Sequence, residues 1–169
     1  GIIEIAAQDP VRGTIFYIAD PSQRFAPKRA DATCVACHFG PRTREVPGMI
    51  ESMHHTRPLA DRWGGWYVTG NLGGLEHYGN VTDFLAKPDG RGGSLASVEK
   101  TFDANGYLTP HSDVAALLVF EHQMQMLNLV AHLGWEARVA MHERLDAKGT
   151  ALADRVEEVV DYMLFVDEA

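Results

Sequence analysis

Cys34-Val35-Ala36-Cys37-His38 is the stretch that governs the predicted fold, because it reads C-x-x-C-H and holds the only two cysteines of the chain. Two thiols at this spacing on a helical turn point the same way, so they can add to both vinyl groups of one haem. The imidazole of His38 would then lie under the iron as its proximal ligand. The motif therefore predicts one covalently attached haem c, carried by a short helix near the N-terminus.

Two other interpretations of the cysteine pair stay open at this point. A zinc site needs four ligands, and without a second cysteine pair two histidines would have to come from elsewhere in the chain. A redox dithiol or a disulfide is the other possibility. A thioredoxin-like dithiol would require a βαβ setting, whereas His38 is followed by Phe39-Gly40-Pro41, which breaks a helix rather than continuing it.

Length and composition predict that residues 1–169 form a single soluble haem domain. The chain has 46% hydrophobic and 22% charged residues, and no uninterrupted apolar run approaches the ~18 residues of a membrane-spanning helix. Its formal net charge is −8. This acidity argues against nucleic acid as a partner and suits docking to a redox partner protein with a basic surface.

The two ends of the chain bear on its location. Gly1-Ile2-Ile3-Glu4 has no basic segment followed by an apolar one, so no signal peptide is recognised. Covalent haem attachment nevertheless takes place outside the bacterial cytoplasm, which predicts a mature or excised chain from the periplasm or another extracytoplasmic space. The sequence stops at Ala169 within a helical pattern, so the native polypeptide is expected to continue.

The predicted fold is mainly α, with a haem-binding helix near the N-terminus and three helices at the C-terminus. A strand is predicted over residues 13–18, with room for a short β-hairpin. Asp31 or Thr33 is expected to cap the haem-binding helix, and Gly40-Pro41 to end it. Residues 41–111 are predicted to be a long irregular wrap, because eleven of the sixteen glycines fall between Gly48 and Gly106.

An aromatic tract inside this wrap, from Arg62 to Gly70, is predicted to cover the haem. Trp and Tyr rings can lie against a porphyrin face, and Arg62 can donate hydrogen bonds to its carboxylates. The alternative is that Trp63 and Trp66 are ordinary core residues.

The C-terminal third is predicted to begin with a helix capped by Ser112 and closed by Gly134. Further helices are expected over residues 135–148 and from Thr150 onward, the last with an apolar core side and an acidic outer side. In the first helix, polar residues recur at four, three and four positions. They form one narrow stripe consisting of Glu121, Gln125, Asn128 and His132.

The rest of that helix is apolar, so it is expected to be mostly buried. His122 lies on an apolar face one turn from Met126, and either side chain, or Met124, could reach a haem iron. A histidine in such a place is more often a hydrogen-bonded core residue, and a methionine more often packing. The distal ligand is therefore not decided by the helix alone.

Five motifs occur along the chain: Cys34 to His38, Val46-Pro47-Gly48 with Ser52, Arg62 to Gly70, His77-Tyr78-Gly79-Asn80, and Glu121-His122-Gln123 with Met126 and Asn128. Taken together, they resemble a group of bacterial c-type haem proteins that often form parts of longer polypeptides. The resemblance runs from about Gly13 to Ala169 and implies that several further residues belong to the haem environment. The implied haem environment consists of His55, Trp63, Trp66, His77, His122 and Met126.

The sixth position of the iron separates the possible functions. Ligation by Met126 would stabilise Fe(II) and raise the potential, and ligation by His55, His77 or His122 would lower it; both suit electron transfer. An open position would instead favour a haem-based sensor or a peroxidase-like enzyme. The prediction is an electron-transfer cytochrome rather than an enzyme, with a haem subunit of a larger redox assembly as a further alternative.

Overall fold

The computed structural model describes residues 1–23, 26–50, 58–71, 73–80, 95–144 and 152–166. The chain divides into two compact units. The first unit contains residues 1–50 and 123–168, and the second contains residues 51–122.

The first unit begins with a three-stranded antiparallel sheet of β1 (Ile3–Asp9), β2 (Gly13–Ala19) and β3 (Lys28–Arg29), in that order. The predicted strand over residues 13–18 is confirmed as β2. β1 and β2 form a hairpin because the Asp9 carboxylate accepts the backbone N–H groups of Val11 and Arg12, each at 2.8 Å. β1 was not predicted as a separate strand.

A short helix, α1 (Asp31–Cys34), follows the sheet and carries the first cysteine. The prediction that Asp31 or Thr33 caps it is wrong, because Asp31 is its first residue and no side chain caps it. The Asp31 carboxylate instead accepts the backbone N–H of Phe16 in β2 at 3.0 Å. This bond lowers the pKa of Asp31, and burial opposes the effect. α1 is thus tied to the sheet rather than being an independent helix.

The second unit agrees with the predicted irregular wrap in its described parts. Thr69 forms isolated bridges with Leu95 and with Asp113. A single turn of 3₁₀ helix covers Leu59–Asp61, and the packing centre consists of Trp63, Val68 and Leu117.

The main helix is α2 (Val114–Glu143), which is 30 residues long. Asp113, rather than Ser112, caps it, since its carboxylate accepts Ala115 N–H at 2.8 Å and its carbonyl accepts Leu117 N–H at 3.0 Å. Gly134 does not end the helix. A glycine inside a helix costs ~1 kcal/mol relative to alanine, and the helical turns on either side offset this cost. α2 is followed by Arg144, which has a left-handed φ of 54°.

The polar stripe of α2 faces inward, contrary to the expectation of a mostly buried apolar helix. Glu121, Gln125 and Asn128 are only 5%, 4% and 3% exposed. The apolar side chains of α2 are divided between inside and outside. Leu117, Met124, Leu129 and Ala140 are buried. The exposed ones are Val119, Phe120, Leu127, Val130, Trp135, Val139 and Met141. Glu121 and Asn128 can be buried because each has a hydrogen-bond partner. Glu121 accepts from the Arg62 guanidinium, and Asn128 donates to the Met49 backbone carbonyl.

The last helix, α3 (Leu152–Met163), contains no buried residue. The prediction that one of its sides is core is therefore wrong, with Val156 45% and Met163 51% exposed. The predicted cap at Thr150 lies outside the described residues.

The fold class is therefore mixed α/β and not mainly α. The observed fold class differs from the predicted one for two reasons. The C-x-x-C-H motif follows a sheet, and the helix that ends at its first cysteine has only four residues. The described C-terminal part contains two helices instead of three, because α2 continues through Gly134.

By length and composition, α2 is the one helix in the described part of the chain that could cross a membrane. About a third of its most apolar window, 33%, is buried inside the protein. The core helix of a soluble protein passes the same test, so this is weak evidence for a membrane span.

Candidate functional site

The C-x-x-C-H motif lies on a tight turn at the end of α1. The carbonyl of Cys34 accepts the backbone N–H groups of Cys37, at 3.1 Å, and His38, at 2.9 Å. This turn returns His38 toward Cys34 as one turn of helix would. Both cysteines are free thiols; Cys34 is half-buried and Cys37 exposed. The two sulfur atoms are thus available for covalent attachment.

A hydrogen bond determines which ring nitrogen of His38 carries the proton. Its Nδ1 atom lies 3.1 Å from the backbone carbonyl oxygen of Gly48. Because a carbonyl oxygen only accepts, Nδ1 must carry the proton, and Nε2 of the neutral ring keeps its lone pair. The ring also packs against Phe16, with 4.8 Å between centroids. Histidines that bind metals almost always have this second hydrogen bond, which fixes their orientation.

These residues fit a covalently bound haem. Two free thiols precede an imidazole whose Nε2 can coordinate, and these are the donors that haem c requires. A zinc site finds no counterpart in the described ranges, where no group of three or more His, Cys, Asp or Glu side chains could hold a metal ion.

The segment that follows His38 in the chain is bonded to α2 and α3. His132 Nδ1 donates to the carbonyl of Arg44, whose guanidinium forms an ion pair with Glu158 of α3. Asn128 bonds to the backbone of Met49. The sequence placed His132 and Asn128 in the polar stripe, and Asn128 also in the helix motif of the resemblance. It did not predict their partners, which lie 79 residues away for Asn128 and 88 for His132.

In the second unit, the two predicted haem-wall tryptophans differ. Trp63 is 1% exposed, lies at the packing centre with Val68, and meets His77 edge to face at 5.6 Å between centroids. This agrees with the alternative that Trp63 is a core residue. Trp66 is 37% exposed, with its ring 6.3 Å from that of Phe120. Of the two, only Trp66 has substantial surface available to a cofactor.

Arg62 forms a buried ion pair. Its Nη1 atom donates to Glu121 Oε2 at 3.1 Å, and the two side chains are 8% and 7% exposed. Burial raises the pKa of Glu121, while the Arg62 charge, its hydrogen bond and the Trp63 indole oppose the rise. Arg62 therefore has a buried protein carboxylate as a partner.

His77 is fully buried, and its ring has the opposite pattern to that of His38. Its Nδ1 atom accepts the backbone N–H of Gly79 at 3.0 Å. In the neutral ring, Nε2 therefore carries the proton. Burial lowers the pKa of His77, which keeps the ring neutral. An Nε2–H group is a hydrogen-bond donor and not a metal ligand.

The aromatic tract and the H-x-G-N motif are joined by hydrogen bonds. Tyr78 N–H donates to the Arg62 carbonyl at 2.9 Å, and Asn80 N–H donates to the Trp66 carbonyl at 2.8 Å. The Asn80 side chain pairs with both backbone groups of Val68, accepting at 2.8 Å and donating at 2.7 Å. Two motifs that are separate in sequence therefore build one local structure.

An open pocket of about 260 Å³ also lies in the second unit. Its aromatic lining includes Trp66, Tyr67, Phe102 and Tyr107. The sequence did not predict it, because its walls come from two segments without a common motif.

The remaining distal candidates are spread along α2 or outside the described residues. His122 and Met126 are half-buried, and Met124 is 6% exposed. His122 belongs to the second unit and Met126 to the first. His55 lies outside the described residues.

Comparison of the chain with protein-family models, with curated proteins and with solved structures gives no match. The resemblance to bacterial c-type haem proteins therefore stays a prediction based on the motifs.

Proposed function

We propose that this chain is a monohaem c-type cytochrome that transfers electrons outside the bacterial cytoplasm. The observation that carries the proposal is the hydrogen bond between His38 Nδ1 and the Gly48 carbonyl at 3.1 Å. This bond leaves Nε2 of His38 free to coordinate a metal. His38 directly follows a cysteine pair with the spacing of a haem attachment motif. Cys34 and Cys37 would form the thioether bonds and His38 would be the proximal ligand.

The haem would supply one-electron chemistry through its iron. The protein contributes orientation and charge. The Gly48 carbonyl holds the His38 ring in place and makes it a stronger donor, which favours the oxidised state. Phe16 packs beside the ring and limits its rotation. Trp66, which keeps an exposed surface, is the more suitable of the two tryptophans to lie against a cofactor.

The sixth ligand is sought among His122, Met126 and His55. His77 is the least suitable of the original candidates, because its Nδ1 atom already accepts the Gly79 N–H and its Nε2 therefore carries the proton. A histidine or methionine ligand would close the iron and give an electron carrier.

The formal net charge of −8 supports a redox partner with a basic surface. Opposite charges speed the encounter of two proteins at low salt, and added salt screens this attraction. Electron transfer to a basic partner is therefore expected to slow as the ionic strength rises.

The test is production of the chain in a bacterial periplasm with an active c-type haem maturation system. The wild type is expected to retain haem on a denaturing gel, and a double Cys34→Ser and Cys37→Ser variant to lose it. Spectra of both oxidation states, with and without carbon monoxide, then examine the sixth position. A wild type that carries no covalent haem would overturn the proposal, and a high-spin haem that binds carbon monoxide readily would favour a sensor or a peroxidase.

A further inference from the structure

The amide side chain of Asn128 pairs with both backbone groups of one residue. Its Oδ1 atom accepts Met49 N–H at 2.8 Å, and its Nδ2 atom donates to the Met49 carbonyl at 2.8 Å. Asn128 is 3% exposed. Two bonds on one residue, in a site shielded from water, hold the Met49 backbone in both position and orientation.

The residue before Met49 is the partner of His38. The Gly48 carbonyl accepts from His38 Nδ1 at 3.1 Å, and Gly48 N–H donates to the His38 carbonyl at 3.0 Å. A Cβ atom at position 48 would lie 2.8 Å from Cβ of Thr43 and would also meet the Asn128 amide. The absence of a side chain at Gly48 therefore lets Asn128 approach.

We infer that Asn128 is the positioning residue of the proximal histidine. It fixes Met49, which fixes the Gly48 carbonyl, which in turn orients the His38 ring and strengthens its Nε2 as a donor. The inference rests on the proposed function. Asn128 acts through the backbone and does not itself touch the iron.

Two consequences are measurable. When the Met49 backbone is released, the Gly48 carbonyl should become mobile, and the His38 Nδ1 proton should exchange with solvent roughly tenfold faster. A weaker bond at Nδ1 makes the imidazole a poorer donor to Fe(III). The midpoint potential should therefore rise, by up to about 59 mV, which is a tenfold change in a one-electron equilibrium.

The experiment compares haem-loaded wild type with Asn128→Leu, which keeps a similar volume, and Asn128→Asp, which keeps the acceptor for Met49 N–H. Exchange of the His38 Nδ1 proton is measured by nitrogen-15 NMR, together with the midpoint potential. Asn128→Leu should show both effects in full and Asn128→Asp smaller ones.

Asn80→Leu is the matched control, since Asn80 makes the same two bonds with the Val68 backbone in the other unit. It should lower stability without faster exchange of the His38 proton. If Asn128→Leu does not fold, the inference is tested by hydrogen exchange in the wild type alone. After each rate is divided by the intrinsic exchange rate of its own group, the Met49 amide and the His38 Nδ1 proton should then give the same opening free energy. Clearly different opening free energies would overturn the inference.

The outcomes separate the two proposals. A wild type without haem overturns the proposed function and this inference with it. A haem-loaded wild type whose His38 proton and potential are unchanged in the Asn128 variants overturns the inference alone.

Discussion

The Nδ1 atom of His77 accepts the backbone N–H of Gly79 at 3.0 Å, in a site where the histidine is completely buried. A protonated ring would have to give up this bond, because Nδ1 would become a donor facing a donor. The bond thus identifies His77 as a structural histidine that holds a turn, and it explains why the ring tolerates burial only in its neutral form.

The first prediction is a loss of stability in mild acid that depends on His77. The folded pKa is lowered from 6.5 by burial, so below that pH the unfolded chain binds a proton that the folded chain does not. The free energy of unfolding should therefore fall as the pH drops from about 7 toward the folded pKa, by at most about 1.4 kcal/mol per pH unit. Urea unfolding followed by circular dichroism measures it.

His77→Gln is expected to remove this part of the pH dependence, whereas His111→Gln, at an exposed position of the same unit, should keep it. Glu121 acts in the opposite direction, since its raised pKa favours the folded state as the pH falls. The difference between wild type and His77→Gln isolates the histidine. An identical pH dependence in the two would contradict the prediction.

The second prediction concerns the buried ion pair of Arg62 and Glu121. Arg62→Met removes one partner and leaves a carboxylate that is 7% exposed without its cation. Such a loss typically costs about 3–5 kcal/mol. The double variant Arg62→Met with Glu121→Leu should recover much of it, because no charge is then left buried. Chemical unfolding of all three proteins measures the effect.

Arg29→Met supplies the comparison for the ion pair. Arg29 pairs with Asp31, but the two side chains are 53% and 30% exposed, so its loss should cost less than about 1 kcal/mol. Equal losses in the two single variants would show that the burial of the Arg62 pair has no energetic effect.

The third prediction is that Gly48→Ala destabilises the first unit. The new methyl group would lie 2.8 Å from Cβ of Thr43, and such overpacking costs about 1–3 kcal/mol. Gly106→Ala is the control, because no atom lies within 4 Å of a Cβ there. Thermal unfolding should show a clear decrease in Tm for Gly48→Ala and almost none for Gly106→Ala.

The fourth prediction identifies the sixth ligand. On the proposed function, His122→Ala and Met126→Ala should both keep covalent haem, because the proposed attachment is through Cys34 and Cys37. Whichever removes the ligand should change a low-spin absorption spectrum to a high-spin one. Gln123→Ala, at an exposed position between them, should leave the spectrum unchanged. If neither variant changes it, His55 becomes the leading candidate.

What the sequence predicted well was local. The strand of residues 13–18 follows from consecutive β-branched and aromatic residues, and the C-x-x-C-H turn from its motif. The single helix α2 was divided at Gly134 because a glycine is a common end signal, whereas here the residues on both sides continue the helix.

The errors at the site arise from partners distant in sequence. Periodicity predicted the polar stripe on α2 but not its partners, which are the Arg62 guanidinium for Glu121 and the Met49 backbone for Asn128. Periodicity shows which residues share a face of a helix, and it does not show which face is covered. His77 is a different case, because its partner is only two residues away. Its Nδ1 atom accepts the backbone N–H of Gly79, and no sequence pattern predicts this bond.

The inward polar stripe of α2 has a consequence for how the first unit assembles. Apolar side chains can slide and repack with little loss, so a helix docked by them alone can settle in several axial registers. The Asn128 amide has its two complementary groups on Met49, and His132 has its acceptor on Arg44. A shift of one residue along the helix axis would break both sets of bonds. Their polar groups would then have no partners in a site shielded from water. The stripe thus selects a single register for α2 during folding.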